Sequence, residues 1–177
     1  MQVTISANGK NIKAEISEEQ AKILGLVEDK PKTGYESLGT GETYYLVNVD
    51  DEITTMKYDS RLDRDCYDVG NYYSDKVIAE NNARADRLLR QLRQWQAQND
   101  KAISISDWKN DKINKYCIAY NYSLNELNTG MERRLRRPNA IYFSTSQKAE
   151  EAIEVFKDEL LWYFTEYVQR LDEVQNG

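Results

Sequence analysis

Residues 71–95 read NYYSDKVIAENNARADRLLRQLRQW, and residues 139–167 read NAIYFSTSQKAEEAIEVFKDELLWYFTEY. Each starts with an aromatic pair and a serine, then switches to the apolar spacing of an amphipathic helix. Tyr72-Tyr73-Ser74 and Tyr142-Phe143-Ser144 stand 70 residues apart, and so do Ala79 and Ala149. Ser74, and Ser144 or Ser146, suit helix N-caps because a hydroxyl accepts from a free first-turn amide.

At 100° per residue, Ile78, Ala85, Leu88, Leu89, Leu92 and Trp95 gather on one side of the first helix. Arg84, Arg87, Arg90 and Arg93 occupy the opposite half. The pattern predicts a helix of about two dozen residues. In the second stretch Ala149, Ala152, Ile153, Phe156, Leu160, Tyr163, Phe164, Tyr167 and Leu171 form one stripe. Glu151, Glu154, Asp158, Glu159, Glu166 and Asp172 take the rest of the circle, which predicts a single, longer helix. One outer face is therefore arginine-rich and the other carboxylate-rich.

Tyrosine-rich strand signals precede each helix: ETYYLVNVDDEITTMKY at 42–58 and NKYCIAYNYSLNELN at 114–128. Tyr44 aligns with Tyr116 at an offset of 72. Two sheet-plus-long-helix units follow, residues 35–100 and 101–177. The self-match fits an internal repeat or shared β-to-α chemistry. Ahead of them, residues 1–34 read as a ββα unit. Val3 and Ile5 alternate against Ile12, Ala14 and Ile16 around Asn8-Gly9, Ser17 and Gln20 form a capping box, and Gly25 suits a helix stop. DKPKTG at 29–34 reads as the linker. The expected class is α+β with antiparallel sheets.

Composition narrows the function classes. The absence of histidine removes His-assisted nucleophiles, His general bases and His-ligated zinc. A net charge of −6 argues against generic nucleic-acid binding, which needs a basic face. Neither a signal-like start nor a membrane-length apolar run is present, so a cytoplasmic protein with no membrane association is expected. Cys66 and Cys117 lack metal-type spacing and read as reduced thiols.

Against this acidic background, MERRLRRPN at 131–139 adds Arg133, Arg134, Arg136 and Arg137 around Leu135. Its expected place is in or beside a hairpin connection, with the arginines on the rim. Eight of the chain's eleven arginines lie here or on the first helix. Packing the two units side by side would put both clusters on one surface. Each cluster is open to two readings. One is contact with phosphate or an acidic partner, which planar guanidinium forks suit. The other is a solvated face or edge, or, for the helix, pairing with the acidic helix or the acids of 50–68. Trp162 points away from the apolar stripe, so it reads either as cover for another part of the fold or as an interface anchor. Asp50, Asp51, Glu52, Asp59, Asp63, Asp65 and Asp68 lack EF-hand spacing and read as an acidic hairpin rather than a metal site or nuclease. No catalytic residue, metal site or cofactor is assigned.

GYESLGTGETYYLVN (34–48), NYYSDKVIAENNARADRLLRQLRQW and IYFSTSQKAEEAIEVFKDELLWYFTEY (141–167) together resemble small phage and prophage proteins of Gram-positive bacteria. The resemblance spans most of residues 34–170. Some proteins of this look are type II anti-CRISPR inhibitors that bind a Cas9-type nuclease or its guide RNA complex. The resemblance implies a non-enzymatic anti-defence protein acting in the host cytoplasm by occupying surface. Its matching motifs read as fold determinants, so it carries over no functional residue. On the residues alone, the two arginine clusters and Trp162 are the candidate contacts for such a partner or for a second copy. The alternative is a nucleic-acid-binding phage regulator that uses the arginines directly.

Overall fold

A computed structural model describes residues 2–7, 10–26, 32–59 and 61–175. The expected Asn8-Gly9 turn and the start of the 29–34 linker lie outside the described residues. The protein is α+β, with antiparallel strand pairing throughout its described sheets. It divides into two compact units, residues 1–32 and 33–177. The segments 35–100 and 101–177 thus belong to one compact unit.

In the first unit β1 (Gln2–Ala7) pairs with β2 (Lys10–Glu15), setting Val3 opposite Ala14 and Ile5 opposite Ile12. Helix α1 (Glu18–Ile23) opens on the Ser17–Gln20 capping box. Gly25, at φ 65°, closes it: its N–H bonds the Lys22 carbonyl while Leu26 N–H reaches Ala21. A left-handed residue is needed at that position, which is why glycine sits there.

The second unit begins with the hairpin β3 (Thr43–Val47) and β4 (Ile53–Lys57), followed by α2 (Arg61–Asp68) and α3 (Lys76–Asn99). Then come α4 (Ile105–Lys109), β5 (Lys115–Asn121), β6 (Glu126–Glu132) and β7 (Tyr142–Phe143). Helices α5 (Ser146–Val155), α6 (Lys157–Thr165) and α7 (Leu171–Gln175) complete it. The three-stranded sheet has the order β6-β5-β7.

Each half uses its aromatic pair in the same way. Tyr73 bridges to Tyr45 on β3, and Phe143 pairs with Tyr116 on β5. The positional counterpart of Tyr116 is therefore Tyr45 and not Tyr44, because the ladder decides the correspondence. Strand alternation sends Tyr44 to the other face, where its ring stacks on Tyr72 at 4.4 Å.

The N-caps fall one residue later than Ser74 and Ser144. Asp75 accepts from Ile78 N–H, and Thr145 accepts from Lys148 N–H. The serines are engaged elsewhere. Ser74 Oγ donates to Glu36 at 2.5 Å, and Ser144 N–H donates to Asp100 Oδ2 at 2.6 Å, with its hydroxyl on Oδ1. Asp100 is also the residue whose N–H closes α3 on Gln96.

The expected single long helix in the second half is two helices. Phe156, at φ −111° and ψ 19°, separates α5 from α6, and its side chain packs against the main core. The chain leaves the helix at Thr165, so Tyr167 and Leu171 lie beyond α6. That main core joins Leu88 and Leu92 of α3 to Phe143, Ala149, Ala152, Ile153 and Leu160. Burying each of the larger side chains contributes about 1.5–3 kcal/mol. A smaller cluster forms around Tyr73, Ile78 and Ala79. There Gly34, at φ 91°, lies so close that a Cβ would meet Ile78 side-chain atoms at 2.8–3.1 Å. Among the described residues, no helix is long and apolar enough to cross a membrane.

Candidate functional site

Three of the four helix arginines are held at the surface by carboxylates of other elements. Arg84 grips Glu159 of α6 in a two-point bond, Nε to Oε2 at 2.8 Å and Nη2 to Oε1 at 2.9 Å. The same guanidinium lies 3.9 Å from the Trp162 ring centroid. Trp162 is only 8% exposed. It stands outside the main core cluster, with Arg84 over its ring and the Tyr167 ring 5.6 Å away, so it is not presented as an interface anchor. The Arg84 bond raises that arginine's pKa and holds the Glu159 carboxyl below its ordinary range.

Arg87 and Arg90 share one carboxylate, Asp51, at 2.6 and 2.5 Å. Asp51 sits at φ 67° in the β3–β4 turn, whose form is set by Asn48 Oδ1 accepting from Asp50 and Glu52 N–H. The expected acidic hairpin is therefore also a clamp on α3. Asp63 is buried and accepts from the Tyr44 hydroxyl at 2.5 Å and from Asp59 N–H at 2.8 Å. Burial, reinforced by that carboxylate, pushes the Tyr44 hydroxyl far up. Among the described residues no three Asp, Glu or Cys side chains are grouped to hold a metal ion.

The second cluster occupies the connection from β6 to β7. It is not a hairpin: β7 pairs with β5, so residues 133–137 cross the end of the sheet. Interior bonds pin this crossing while leaving its guanidiniums outside. Tyr142 Oη accepts from Arg137 N–H at 3.0 Å and donates to the Leu135 carbonyl at 3.2 Å. The fully buried Lys115 donates Nζ to the carbonyls of Asn110, Ile113 and Arg133. Spacing gave no hint of this lysine's role, because its partners are backbone oxygens.

At the tips, Arg133 bonds Asn114 at 2.9 Å, Arg134 bonds Asp111, and Arg137 bonds Glu132 at 2.9 Å. Arg136 instead lies 5.9 Å from the centroid of Trp108. Trp108 projects from the short α4, whose Ser104–Asp107 capping box fixes it, and its ring meets Tyr142 edge-on at 4.8 Å. Periodicity does not single out Trp108; the SISD capping signature just before it is the sequence signal that places it on a short helix.

The two clusters meet at one cleft. Arg93, at the outer end of the helix face, and Arg136 line the same cleft of about 350 Å³ with Gln96, Ile103, Trp108 and Tyr142. Arg84, Arg87 and Arg90 are tied to carboxylates of other elements and do not reach it. No family model, curated protein or solved structure matches the chain.

Proposed function

We propose that this is a non-enzymatic binding protein and, on the resemblance to phage proteins, an inhibitor that occupies surface on a Cas9-type nuclease or its guide RNA complex. The observation that carries the binding role is the arginine-bearing crossing at 133–137. It is an exposed basic edge on a chain of net charge −6, held in shape from below by Tyr142 and Lys115. A ribonucleoprotein presents both signs of charge, a basic nucleic-acid channel and anionic RNA. A molecule that is acidic overall but basic at one edge complements both.

The decisive experiment adds purified protein to a guide-loaded Cas9-type nuclease and follows target binding and cleavage. Inhibition that is lost when Arg133, Arg134, Arg136 and Arg137 are reversed to Glu supports the proposal. Unchanged cleavage at large molar excess sinks it. The shared cleft of Arg93, Arg136 and Trp108 favours one second reading, a nucleic-acid-binding regulator. In that case binding to naked RNA or DNA falls steeply with salt.

A further inference from the structure

Six of the eight clustered arginines have hydrogen-bonding side-chain partners: Glu159, Asp51 twice, Asn114, Asp111 and Glu132. Among the described residues, Arg93 and Arg136 show no such partner. They come from different elements, helix α3 and the β6–β7 crossing, yet line one cleft beside an indole.

We propose that this cleft binds a single nucleotide, its base lying against Trp108 and its phosphate between Arg93 and Arg136. Two guanidinium forks arriving from separate elements suit the several oxygens of one phosphate. Arg136 lies 5.9 Å over the Trp108 ring, so a base takes that place on the indole, which tolerates any base, as the guanidinium turns to the phosphate. The volume of about 350 Å³ lies in the range of small-ligand sites. Ile103 supplies an apolar wall, and Gln96 supplies an amide able to donate to or accept from a base edge. The Tyr142 hydroxyl and Lys115 Nζ are already engaged with backbone groups, and the Tyr142 ring and Nζ lie 4.8 and 5.1 Å from the Trp108 centroid, so they back the indole and leave ligand contact to the arginines.

Charge also limits the ligand's size. A long polyanion needs a continuous basic track, which a chain of net charge −6 does not offer along its length, so a strand would be held at its terminal nucleotide alone. One nucleotide needs only the local pair of cations. The nucleotide can be free or the end of an RNA strand, since the recognised chemistry is the same. This site stands independently of nuclease inhibition.

The test uses the full chain alone, without any nuclease. Calorimetry follows titration with adenosine and uridine monophosphates, inorganic phosphate, oligouridylate and an Asp/Glu-rich peptide. Saturable one-to-one binding of a monophosphate is expected, weakened roughly tenfold or more by Arg93→Ala or Arg136→Ala. Both arginines are exposed, so these variants keep the fold. Trp108→Leu is expected to erase the preference for nucleotide over inorganic phosphate; Arg93→Ala carries the test if that variant does not fold. Equal molar affinity for oligouridylate and monophosphate identifies a strand end as the source, whereas preference for the monophosphate identifies a free nucleotide. Absence of saturation at millimolar monophosphate overturns the proposal. So does tighter binding of the acidic peptide, or unchanged affinity in both arginine variants.

Discussion

The two halves of the larger unit start from the same device and end differently. In both, an aromatic residue pairs with the first strand of a hairpin, a serine is tied to a carboxylate, and the next residue caps a helix. The first half takes its carboxylate from Glu36, in the segment just before β3. The second takes it from Asp100, the residue that closes the first half's helix. The later half is thus registered on the earlier one, while the earlier half supplies its own anchor. Their arginines differ accordingly. Those of α3 mostly bind the unit together, whereas those of 133–137 decorate a crossing whose internal bonds do not need them.

The heaviest blow to this comparison is Phe143→Ala. Phe143 is fully buried at the centre of the main core, so about 3–5 kcal/mol of stability should be lost in denaturant unfolding. The matching Tyr73→Ala is expected to lose less, because its cluster has only Ile78 and Ala79 as fully buried members.

Next come the two anchors. Asp100→Ala should cost about 1.5–3 kcal/mol, since two part-buried donors of Ser144 lose a charged acceptor. Glu36→Gln tests the first half by acid titration. Burial alone would raise the Glu36 carboxyl, but hydrogen bonds from Ser74 and Thr33 outweigh it and bring it down to about 2. A depressed carboxyl contributes stability that is present above its ordinary value of 4.5 and lost as pH falls toward about 2. Melting temperatures across that window should fall less steeply for Glu36→Gln than for the parent; parallel curves would remove Glu36 as the acid-sensitive anchor.

Arg84→Met should cost about 1 kcal/mol, from one two-point surface bond and the cation over Trp162. A double-mutant cycle with Glu159→Gln separates the two contributions. At the small end, Arg134→Ala should change stability by less than about 0.5 kcal/mol, since its side chain is 74% exposed. A larger loss would turn the loop cluster into a structural one and erase the contrast between the two arginine sets.

Periodicity and strand alternation carried a good part of the architecture. The facing of Val3 with Ala14 and of Ile5 with Ile12, the position of Ala149 at the core, and the inner stripe of α3 were all legible, whereas Ala79, matched only to Ala149 by its offset, turns out equally buried. These are local signals, since each needs only the geometry of its own element. What stayed hidden depends on a second element. A helical angle set Trp162 apart from the apolar stripe but could not show that Arg84, 78 positions earlier, would lie on it. The serines looked like caps because a hydroxyl can cap. Only the approach of Asp100, 44 residues from Ser144, shows why Thr145 has that task instead. The acids at 50–52 were legible as a turn, and pairing of the helix arginines with the acids of 50–68 was one of the open readings; that Asp51 alone takes both Arg87 and Arg90 depends on the turn lying over α3. The convergence of Arg93 and Arg136 on Trp108 likewise depends on the sheet crossing, which no spacing encodes.

The interruption at Phe156 has an electrostatic consequence. In one continuous helix Glu159 would stand mid-way along, where the peptide dipoles offer a carboxylate no net field. By ending one helix and starting another, Phe156 gives α6 a fresh N-terminus and places Glu159 in its first turn. There the partial positive charge of the unbonded amides favours an anion by about 0.3–1 kcal/mol. The carboxylate that holds Arg84 is thus charged for two separate reasons, one on each helix. The bend in the backbone helps to set the strength of a bond made three residues away.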